Sequence, residues 1–530
     1  MRFQAARTRC ESTYKYVLLA DLEFERTEKP LSNNIDADFL TLPLTSVSDA
    51  AISTGTSLGA SHVDVRIERT RTGLLALRDA KPETQSDETN FGIGVRVIVN
   101  GAWGFASSPD VSVDSARKLA STAVAMAKTS KPLSTEEISL VPEPVYANKS
   151  WVSAYEIDPF SVSDAEKKDR LASLSSKLLA SSSVNHTSAH TMYVKEQKHY
   201  ADSAGTSTTQ QRVRVQTQIE AISIGAHGFE SMRTLAQPAG YGWEWMENTI
   251  WNWDAEIDQL PTLLAEKVAA PSVEPGRYDL LIHPSNLWLT IHESIGHATE
   301  LDRAIGYEAN YAGTSFATPD KLGNLKYGSA LMNVTGDRNT EHGLSTVGWD
   351  DEGVAAQRWD IVKDGVLVGY QLDRRIAARV NRDRSNGCAF ADSPAHVPIQ
   401  RMPNVSLQPN PSGPTLEKLI ESVEDGIYIL GDKSWSIDMQ RYNFQFTGQQ
   451  FHRIKNGKIV GQLKDVAYQA TTTDFWGAMK AVGGPSTYVL GGAFNCGKAQ
   501  PGQVAAVSHG CPAAVFDKIN VLNTVAEAGK

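Results

Sequence analysis

Residues 278–297 read YDLLIHPSNLWLTIHESIGH and place a strand directly before a helix. The apolar run Tyr278–Ile282 is typical of a buried strand. Pro284 and Ser285 are residue types that commonly begin a helix. That helix carries two histidines and a glutamate near its end, so the same stretch predicts the local fold and contains the candidate functional residues.

The spacing of the two histidines predicts that this helix is distorted. His292 and His297 are five residues apart, which on an ideal helix separates their side chains by roughly 140°. Both rings reach the same point only if the helix is bent or contains a π-type bulge. Gly296, immediately before His297, is a residue at which such a distortion costs little. The sequence therefore predicts a bulged helix whose two histidines converge.

Two converging imidazoles beside a carboxylate indicate a metal site. Zinc favours imidazole nitrogen, and a catalytic zinc site uses about three protein ligands and leaves a position for water. Glu293, between the histidines, is placed to take a proton from that water and pass it on. The chain has 12 histidines, so the spacing alone also fits two unrelated histidines on a core helix. A third ligand must come from elsewhere in the chain.

Cys496 is the first candidate for that third ligand. It lies in the glycine-rich segment 491–498, where the backbone can approach an ion, and metal binding would deprotonate its thiol. Lys498 is close enough in sequence to lower the pKa of the same thiol. His509 and Cys511 form a rival pair. A lone cysteine is also common as a small buried apolar residue.

Charge and cysteine content restrict the class of this 530-residue protein. The formal net charge is −10 and no long Lys/Arg block is present, which argues against a nucleic-acid partner. No apolar run approaches the roughly 20 residues that cross a bilayer, and the first residues lack the pattern of a secretory signal. Four cysteines in so long a chain do not make a disulfide framework. We therefore expect a soluble, cytoplasmic protein without a membrane partner.

The chain is too long for a single core and is predicted to form two domains behind a tail. Residues 1–35 mix charges without periodicity, which predicts a poorly ordered tail or a translation start placed too far upstream. Residues 36–265 are predicted to form an N-terminal α/β-type domain of mixed helices and strands. Residues 266–530 are predicted to form a strand-rich, catalytic C-terminal domain that carries the metal site.

Several elements follow from local pattern. Helices are predicted at Val47–Leu58, at Val113–Lys128, from Ser163 to about Leu179, and within Asp254–Arg277. The segment Val213–Ile219 alternates apolar residues with arginine and glutamine, which predicts a strand with one face in water. The dense tryptophans of residues 243–253 are expected to pack in the core or between domains.

Three tight-turn dipeptides predict antiparallel hairpins, at residues 100–101, 364–365 and 456–457. The last two lie in similar segments and predict a large antiparallel sheet in the C-terminal half. Helices and strands occur in separate blocks along the chain. The predicted fold class is therefore α+β, and a doubly wound sheet is not favoured.

At these residues the sequence resembles the TldD/PmbA family, once described as modulators of DNA gyrase, and more closely its TldD-like, metal-bearing members. The resemblance covers about residues 38–522. It rests on the segments Phe91–Arg96, Gly101–Phe105, His292–His297, Asp351–Gly353, Gly365–Tyr370, Arg401–Asn404 and Cys496–Lys498. The His-Glu-x-x-x-His segment together with the late Cys-Gly-Lys is a specific combination.

The resemblance implies a zinc metallopeptidase. By position, it implies that His292, His297 and Cys496 are the zinc ligands and that Glu293 is the catalytic base. It also implies two domains, an unfolded or leader-like peptide as substrate, and a homologous partner subunit in a hetero- or homodimer. The segments Ser385–Asp392 and Pro501–Pro512 depart from what is expected of the best-known members, which leaves the substrate preference open.

Two other functions remain as alternatives. One is a non-enzymatic modulator or binding subunit with a structural metal site, which would use four protein ligands. The other is a cysteine hydrolase with Cys496 or Cys511 as nucleophile and His509 as base. The sequence leaves open the peptide that is cut, endo- against exopeptidase action, and the native metal beyond the preference of imidazole and thiolate for zinc.

Overall fold

The computed structural model describes residues 34–226, 228–499 and 501–526. Most of the predicted tail, residues 1–33, therefore lies outside the described residues. Ile35, the last residue of that predicted tail, is buried against the first helices.

The N-terminal half is built on one seven-stranded sheet. Its strands are β1 (His62–Arg78), β2 (Lys81–Val99), β3 (Ala102–Ser108), β4 (Lys149–Val152), β5 (His186–Asp202), β6 (Ser207–Gly225) and β7 (Gly228–Arg233). The order is β3-β2-β1-β5-β6-β4, and β7 also pairs with β6. The pairs are antiparallel except for the parallel pair β4–β6. The turn at Asn100 and Gly101 has positive φ at both residues, which confirms the predicted hairpin.

In the part of the chain that the structure describes, five helices accompany this sheet. They are α1 (Ala37–Leu40), α2 (Leu44–Ser57), α3 (Val113–Ser130), α4 (Asp164–Leu179) and α5 (Trp253–Ala269). Short 3₁₀ turns lie at Lys131–Leu133 and Trp243–Met246. The four predicted helices are confirmed, and Ser163 caps α4 by accepting a hydrogen bond from the Glu166 amide. The predicted boundary between residues 265 and 266 falls inside α5, so the division into domains stays a prediction.

Alternation along the strands gives the sheet two different faces. On one face, Val63, Val65 and Ile67 pack against α2 and α3, while Leu75 and Leu77 pack against α4 and α5. The predicted core role of the tryptophans is confirmed, because Trp243, Trp245 and Trp253 belong to the second of these clusters.

The opposite face carries charged residues and is covered by the C-terminal half. Arg212 and Arg214 on β6 are only 5% and 6% exposed. The prediction that this face lies in water is therefore wrong at its arginines. Both guanidinium groups bond to Glu196 on β5, and Arg212 also donates to the carbonyl of Leu344 in the C-terminal half. The sequence pattern shows a polar face, but it does not show that another part of the chain covers it.

The C-terminal half contains a sheet that closes on itself. The strands of this half are β8 (Gly276–Ile282), β9 (Val334–Asp337), β10 (Arg358–Lys363), β11 (Val366–Leu367), β12 (Ala389–Phe390), β13 (Ile399–Gln400), β14 (Asn404–Leu407), β15 (Asp425–Ile437), β16 (Asn443–Lys455), β17 (Lys458–Leu463), β18 (Val466–Thr471), β19 (Met479–Val482), β20 (Val489–Lys498), β21 (Gln503–Cys511) and β22 (Ala514–Asn523). The closed ring runs β15-β8-β22-β18-β16 and returns to β15. The pair β8–β15 is parallel and the other ring pairs are antiparallel.

β17 joins this sheet through β16 and β19 joins it through β22, while the other strands form smaller sheets of order β11-β10-β9-β14, β12-β13 and β20-β21. The hairpins at Asp364-Gly365 and Asn456-Gly457 are confirmed by positive φ at all four residues. The helices of this half are α6 (Pro284–Ile291), α7 (Leu301–Ala304), α8 (Arg374–Arg379), α9 (Leu416–Glu421) and α10 (Thr472–Gly477), with 3₁₀ turns at Pro319–Lys321 and Pro485–Thr487. The structure thus mixes helices with large antiparallel sheets, as predicted.

No helix among the described residues has the length and apolar character needed to cross a membrane.

Candidate metal centre

The helix that carries the two histidines begins at the end of β8. The ring of His283 caps α6, because its Nδ1 accepts a hydrogen bond from the Ser285 amide at 3.2 Å. All eight residues of α6 are buried. Asn286 fixes the helix within the closed sheet by donating to the carbonyls of Gly431 and Thr447, both at 2.9 Å. The helix therefore has little freedom to rotate about its axis.

The predicted distortion is present at the histidines. After Ile291 the chain enters a π-helical turn, His292–Gly296, and then a 3₁₀ turn, His297–Thr299. The two imidazole rings lie 4.7 Å apart between centroids, at 73° to each other. A π turn adds one residue to the helical repeat, and this brings together two rings that an ideal helix would separate.

Gly296 is required here by packing more than by backbone angle. Its φ is −52°, which any residue can adopt. A Cβ at this position would lie 2.5 Å from Sδ and 2.9 Å from Cε of Met402. The side-chain amide of Gln371 donates to the Gly296 carbonyl at 2.6 Å. The glycine thus lets the π turn sit directly against the buried Met402.

Cys496 reaches the histidines from the β20–β21 ribbon. The register of this ribbon shifts between Ala493 and Cys496, and the shift sets the direction of the cysteine side chain. Its Sγ lies 3.7 Å from Nε2 of His297. One ligand atom from each of His292, His297 and Cys496 lies within 4.8 Å of the other two, and all three residues are buried. The structure therefore brings together the three residues named as ligands from the sequence.

His292 is oriented by a chain of neutral groups. Nδ1 of His509 lies 2.8 Å from the carbonyl oxygen of Val405, so this nitrogen carries the proton. Nε2 of His509 then accepts from Nδ1 of His292, at 2.7 Å. Because the His292 proton is held on Nδ1, its Nε2 is left with a free lone pair. Burial lowers the pKa of His292, which favours the neutral ring that a metal ligand requires.

His297 is oriented by charged groups instead. Its Nδ1 lies 2.8 Å from Oε2 of Glu300, and Nζ of Lys498 lies 3.1 Å from the other oxygen of that carboxylate. Burial raises the pKa of Glu300, but Lys498 and His297 outweigh it and hold the pKa well below its ordinary value. Lys498 also donates to Asp302 at 2.9 Å. A carboxylate behind a histidine fixes its tautomer and raises its basicity as a ligand.

The thiol of Cys496 lies beside positive charge. Arg401 donates through Nη2 to the Cys496 carbonyl at 2.6 Å and to its Sγ at 3.3 Å. Burial raises the pKa of the thiol, yet His297 and Arg401 outweigh it, so the pKa is lowered. This environment favours the thiolate, which is the form that binds a metal ion.

Glu293 lies next to the three candidate ligands without belonging to the cluster. Its Oε2 accepts a hydrogen bond from Nη1 of Arg441 at 2.5 Å. Burial raises the pKa of this carboxyl, but His292, His297 and Arg441 bring it below its ordinary value. The carboxylate is therefore ionised, as a proton acceptor must be.

A cavity of about 470 Å³ connects these groups. His292, Glu293, His297 and Cys496 all line it, together with Arg441. The helix-free face of the N-terminal sheet contributes further lining residues, among them Gln216 and Gln218. The site therefore lies where the two halves of the chain meet.

The rival cysteine pair does not form. Sγ of Cys511 lies 3.8 Å from the Pro284 carbonyl, and burial raises the pKa of its thiol. Both ring nitrogens of His509 have other partners, one with Val405 and one with His292. His509 thus supports a candidate ligand and does not serve as a base for a cysteine. The only cysteine that contacts a histidine among the described residues is Cys496, and that histidine is His297.

Sequence reasoning missed three supporting residues. Glu300 lies three residues after His297, a helical spacing that marks it as a neighbour of the ring. Arg401 lies in the Arg401–Asn404 segment that contributes to the resemblance, but the sequence assigns it no role, and no local pattern indicates Arg441. The donor set itself fits zinc, since two imidazole nitrogens and one thiolate leave room for the open position of a catalytic site.

Comparison with known proteins gives two matching sequence families. The PmbA/TldA metallopeptidase C-terminal domain matches residues 275–523, and the PmbA/TldA metallopeptidase domain 1 matches residues 63–127. Together these matches cover more than half of the chain. The C-terminal match includes each of the candidate ligands and Glu293.

Two curated relatives span most of the chain. A metalloprotease of Methanocaldococcus jannaschii is 26% identical over 429 residues, which is 79% of this chain and 89% of that protein. A protein of Saccharolobus solfataricus, named a zinc metalloprotease TldD homolog, is 22% identical over 476 residues, covering 88% and 97%.

Crystal structures with the same fold are also known. A protein of Thermotoga maritima, described as a proposed modulator of a DNA gyrase, has a TM-score of 0.71 at 15% identity and covers 90% of this chain and 100% of its own. TldE of Thermococcus kodakarensis has a TM-score of 0.68 at 14% identity, covering 90% and 99%.

Proposed function

Because the chain belongs to the PmbA/TldD metallopeptidase family, we propose that it is a zinc-dependent peptidase acting on unfolded or leader-like peptides. Its relatives are named metalloproteases, which supports a metallopeptidase activity. The observation that carries the proposal is the cluster of His292, His297 and Cys496 beside the ionised carboxylate of Glu293, in one cavity.

His292, His297 and Cys496 would hold the zinc ion. When bound, zinc supplies Lewis acidity, which lowers the pKa of water and polarises a peptide carbonyl. Glu293 accepts a proton from the attacking water at its carboxylate and then delivers it to the nitrogen of the departing amine. His509 and Glu300 keep the two imidazoles in the tautomers that leave Nε2 free.

The shape of the cavity supports a peptide substrate without fixed structure. A volume of about 470 Å³ lies within the range of ordinary ligand pockets and is far too small for a folded domain. Gln216 and Gln218 offer side-chain amides that pair with any peptide backbone, whatever its sequence. An extended segment of a peptide is the substrate that this site accommodates best.

We also propose a homologous partner subunit, no nucleic-acid partner and a cytoplasmic location. The likeness in fold to TldE supports pairing with a homologous subunit. The net charge of −10 is the reason to propose no nucleic-acid partner. Cys388, Cys496 and Cys511 are free thiols, which supports a reducing, cytoplasmic location.

One alternative has an observation of its own. The 3.7 Å contact between Sγ of Cys496 and Nε2 of His297, with a lowered thiol pKa, also resembles the nucleophile and base of a cysteine hydrolase. That enzyme would be inactivated by alkylation and indifferent to chelators. A non-enzymatic subunit with a structural metal would tolerate Glu293→Gln without loss of function.

The decisive test measures zinc content and casein cleavage in the same preparations. We expect near-stoichiometric zinc in the wild type, loss of both metal and cleavage in His297→Ala, and loss of cleavage alone in Glu293→Gln. Loss of both metal and cleavage would assign His297 as a zinc ligand, and loss of cleavage alone would assign Glu293 as the base. A metal-free wild type that still cleaves casein, or a Glu293→Gln variant that cleaves at full rate, would overturn the proposal.

A further inference from the structure

Arg441 touches the proposed base and is not used by the mechanism above. Its Nη1 donates to Oε2 of Glu293 at 2.5 Å, and the two side chains are 15% and 7% exposed. Both residues line the cavity that holds the candidate ligands. Trp435, from the same hairpin, also lines this cavity. One hairpin, formed by β15 and β16, therefore brings both Arg441 and Trp435 to the site.

The backbone at Arg441 is strained in order to place this side chain. Its φ is +63°, a conformation that is costly for a bulky residue. Asp438 holds the turn by accepting from the amides of Gln440 and Tyr442, at 3.0 and 2.8 Å. The Arg441 carbonyl accepts from the hydroxyl of Thr472 at 2.8 Å. A rigid turn thus keeps an unfavourable conformation that directs a guanidinium toward the site.

The guanidinium has more donors than the chain uses. Arginine carries five N–H donors in a fixed plane. Glu293 takes one of them, while the buried Nε of Arg441 has no hydrogen-bond partner in residues 34–226, 228–499 and 501–526. A buried donor without a partner is costly. A strained, charged side chain with spare donors at a cavity indicates an acceptor that comes from outside the chain.

The acceptor that fits this position is an oxygen of the bound peptide. We propose that Arg441 is a further catalytic residue, which donates to the scissile carbonyl oxygen while it holds the carboxylate of Glu293. This inference rests on the proposed peptidase function. As water adds to the carbonyl carbon, negative charge grows on that oxygen, and a fixed guanidinium beside it stabilises the charge more in the transition state than in the bound substrate.

The contact with Glu293 has a second effect in this arrangement. A carboxylate held at one oxygen cannot rotate freely, so its proton-accepting position is fixed relative to the carbonyl. Lysine would keep the positive charge but would lose the planar fork that bonds two acceptors at once. The proposal therefore predicts that Arg441→Lys restores only part of the activity that Arg441→Ala loses.

The experiment compares Arg441→Ala and Arg441→Lys with Glu293→Gln and wild type, all loaded with zinc, using unfolded casein as the substrate. We expect Arg441→Ala to keep its zinc and to lose about 100-fold in kcat and kcat/KM together, the usual cost of one such donor. Free guanidinium, below denaturing concentrations, should raise the rate of Arg441→Ala and leave the rate of Glu293→Gln unchanged. A side chain that merely stabilised the fold would show no such rescue.

Gln440→Ala is the matched control, because Gln440 is an exposed neighbour on the same turn and is not among the residues that line the cavity. An Arg441→Ala variant that cleaves at the wild-type rate, while Glu293→Gln is inert, would overturn this inference and leave the proposed function standing. A zinc-loaded wild type that does not cleave would overturn the proposed function and this inference with it. Loss of zinc from both Arg441→Ala and Arg441→Lys would show that Arg441 has a structural role, and it would also overturn the inference.

Discussion

The two histidines of the candidate metal centre are held by opposite kinds of partner. His292 bonds to the neutral imidazole of His509, which in turn bonds to the backbone carbonyl of Val405. Behind His297 stands a carboxylate that is itself paired with a buried lysine. Hydrogen bonds that involve charge are roughly twice as strong as neutral ones. We therefore expect zinc binding to depend more on the groups behind His297 than on the groups behind His292.

Removing the charged support should have the largest effect. Glu300→Ala leaves Nδ1 of His297 without its acceptor and leaves Lys498 with only part of its counter-charge. We expect zinc affinity to fall about 100-fold, the upper end for loss of an outer partner. Breaking a buried ion pair should also cost about 3 kcal/mol of unfolding free energy. Competition with a chromogenic chelator and thermal unfolding measure the two effects.

Glu300→Gln is the control that separates charge from hydrogen bonding. Glutamine keeps an oxygen that can accept from His297 but brings no charge to Lys498. A zinc affinity of Glu300→Gln between those of Glu300→Ala and wild type would confirm that the negative charge of Glu300 distinguishes the support of His297 from that of His292. If Glu300→Ala and wild type bound zinc equally well, the contrast between the two histidines would be wrong.

Removing the neutral support should have a smaller effect. His509→Ala takes away the acceptor for Nδ1 of His292 and leaves that buried donor unpaired. We expect a loss of about 10-fold in zinc affinity, the lower end for an outer partner. His509→Gln, which keeps an acceptor, should recover part of it. Equal losses from His509→Ala and Glu300→Ala, in the same chelator titration, would remove the distinction between the two sides.

The smallest effect is expected at Gly296, which lies between His292 and His297 in the chain. Gly296→Ala places a methyl group against the thioether of Met402, which is the flexible end of a side chain. We expect a loss of about 1 kcal/mol in unfolding free energy, at the low end for overpacking. Denaturant unfolding of Gly296→Ala, Met402→Ala and the double variant measures it. The cost of the alanine should disappear when Met402 is already truncated.

The part of the site that sequence could predict is the part with a fixed spacing. The five-residue separation of His292 and His297 requires a bend or a π-type bulge if both rings are to meet, and the structure has a π turn. The Asn-Gly and Asp-Gly turns likewise determine their hairpins through backbone angles alone. Each of these predictions depends on residues that are close neighbours in the sequence.

The parts that sequence could not predict depend on contacts between elements. Arg212 alternates like a solvent-facing residue, yet the C-terminal half covers it and Glu196 pairs with it. Arg441 reaches Glu293 across a separation of 148 residues. The sequence places His509 in a rival pair with Cys511, and its position behind His292 follows only from the hydrogen bond between the two rings. Pattern gives the chemical character of a face but not the surface that it meets.

The charged, helix-free face of the N-terminal sheet has a consequence for how the chain is made. Arg66 and Lys198 on this face both bond to Asp351, which is synthesised well over a hundred residues later. Before the C-terminal half is synthesised, this face of the N-terminal half therefore exposes guanidinium, ammonium and carboxylate groups to water, and not apolar side chains. We expect such a surface to associate less readily with other nascent chains than an apolar surface would, and it becomes buried only when the C-terminal half packs against it.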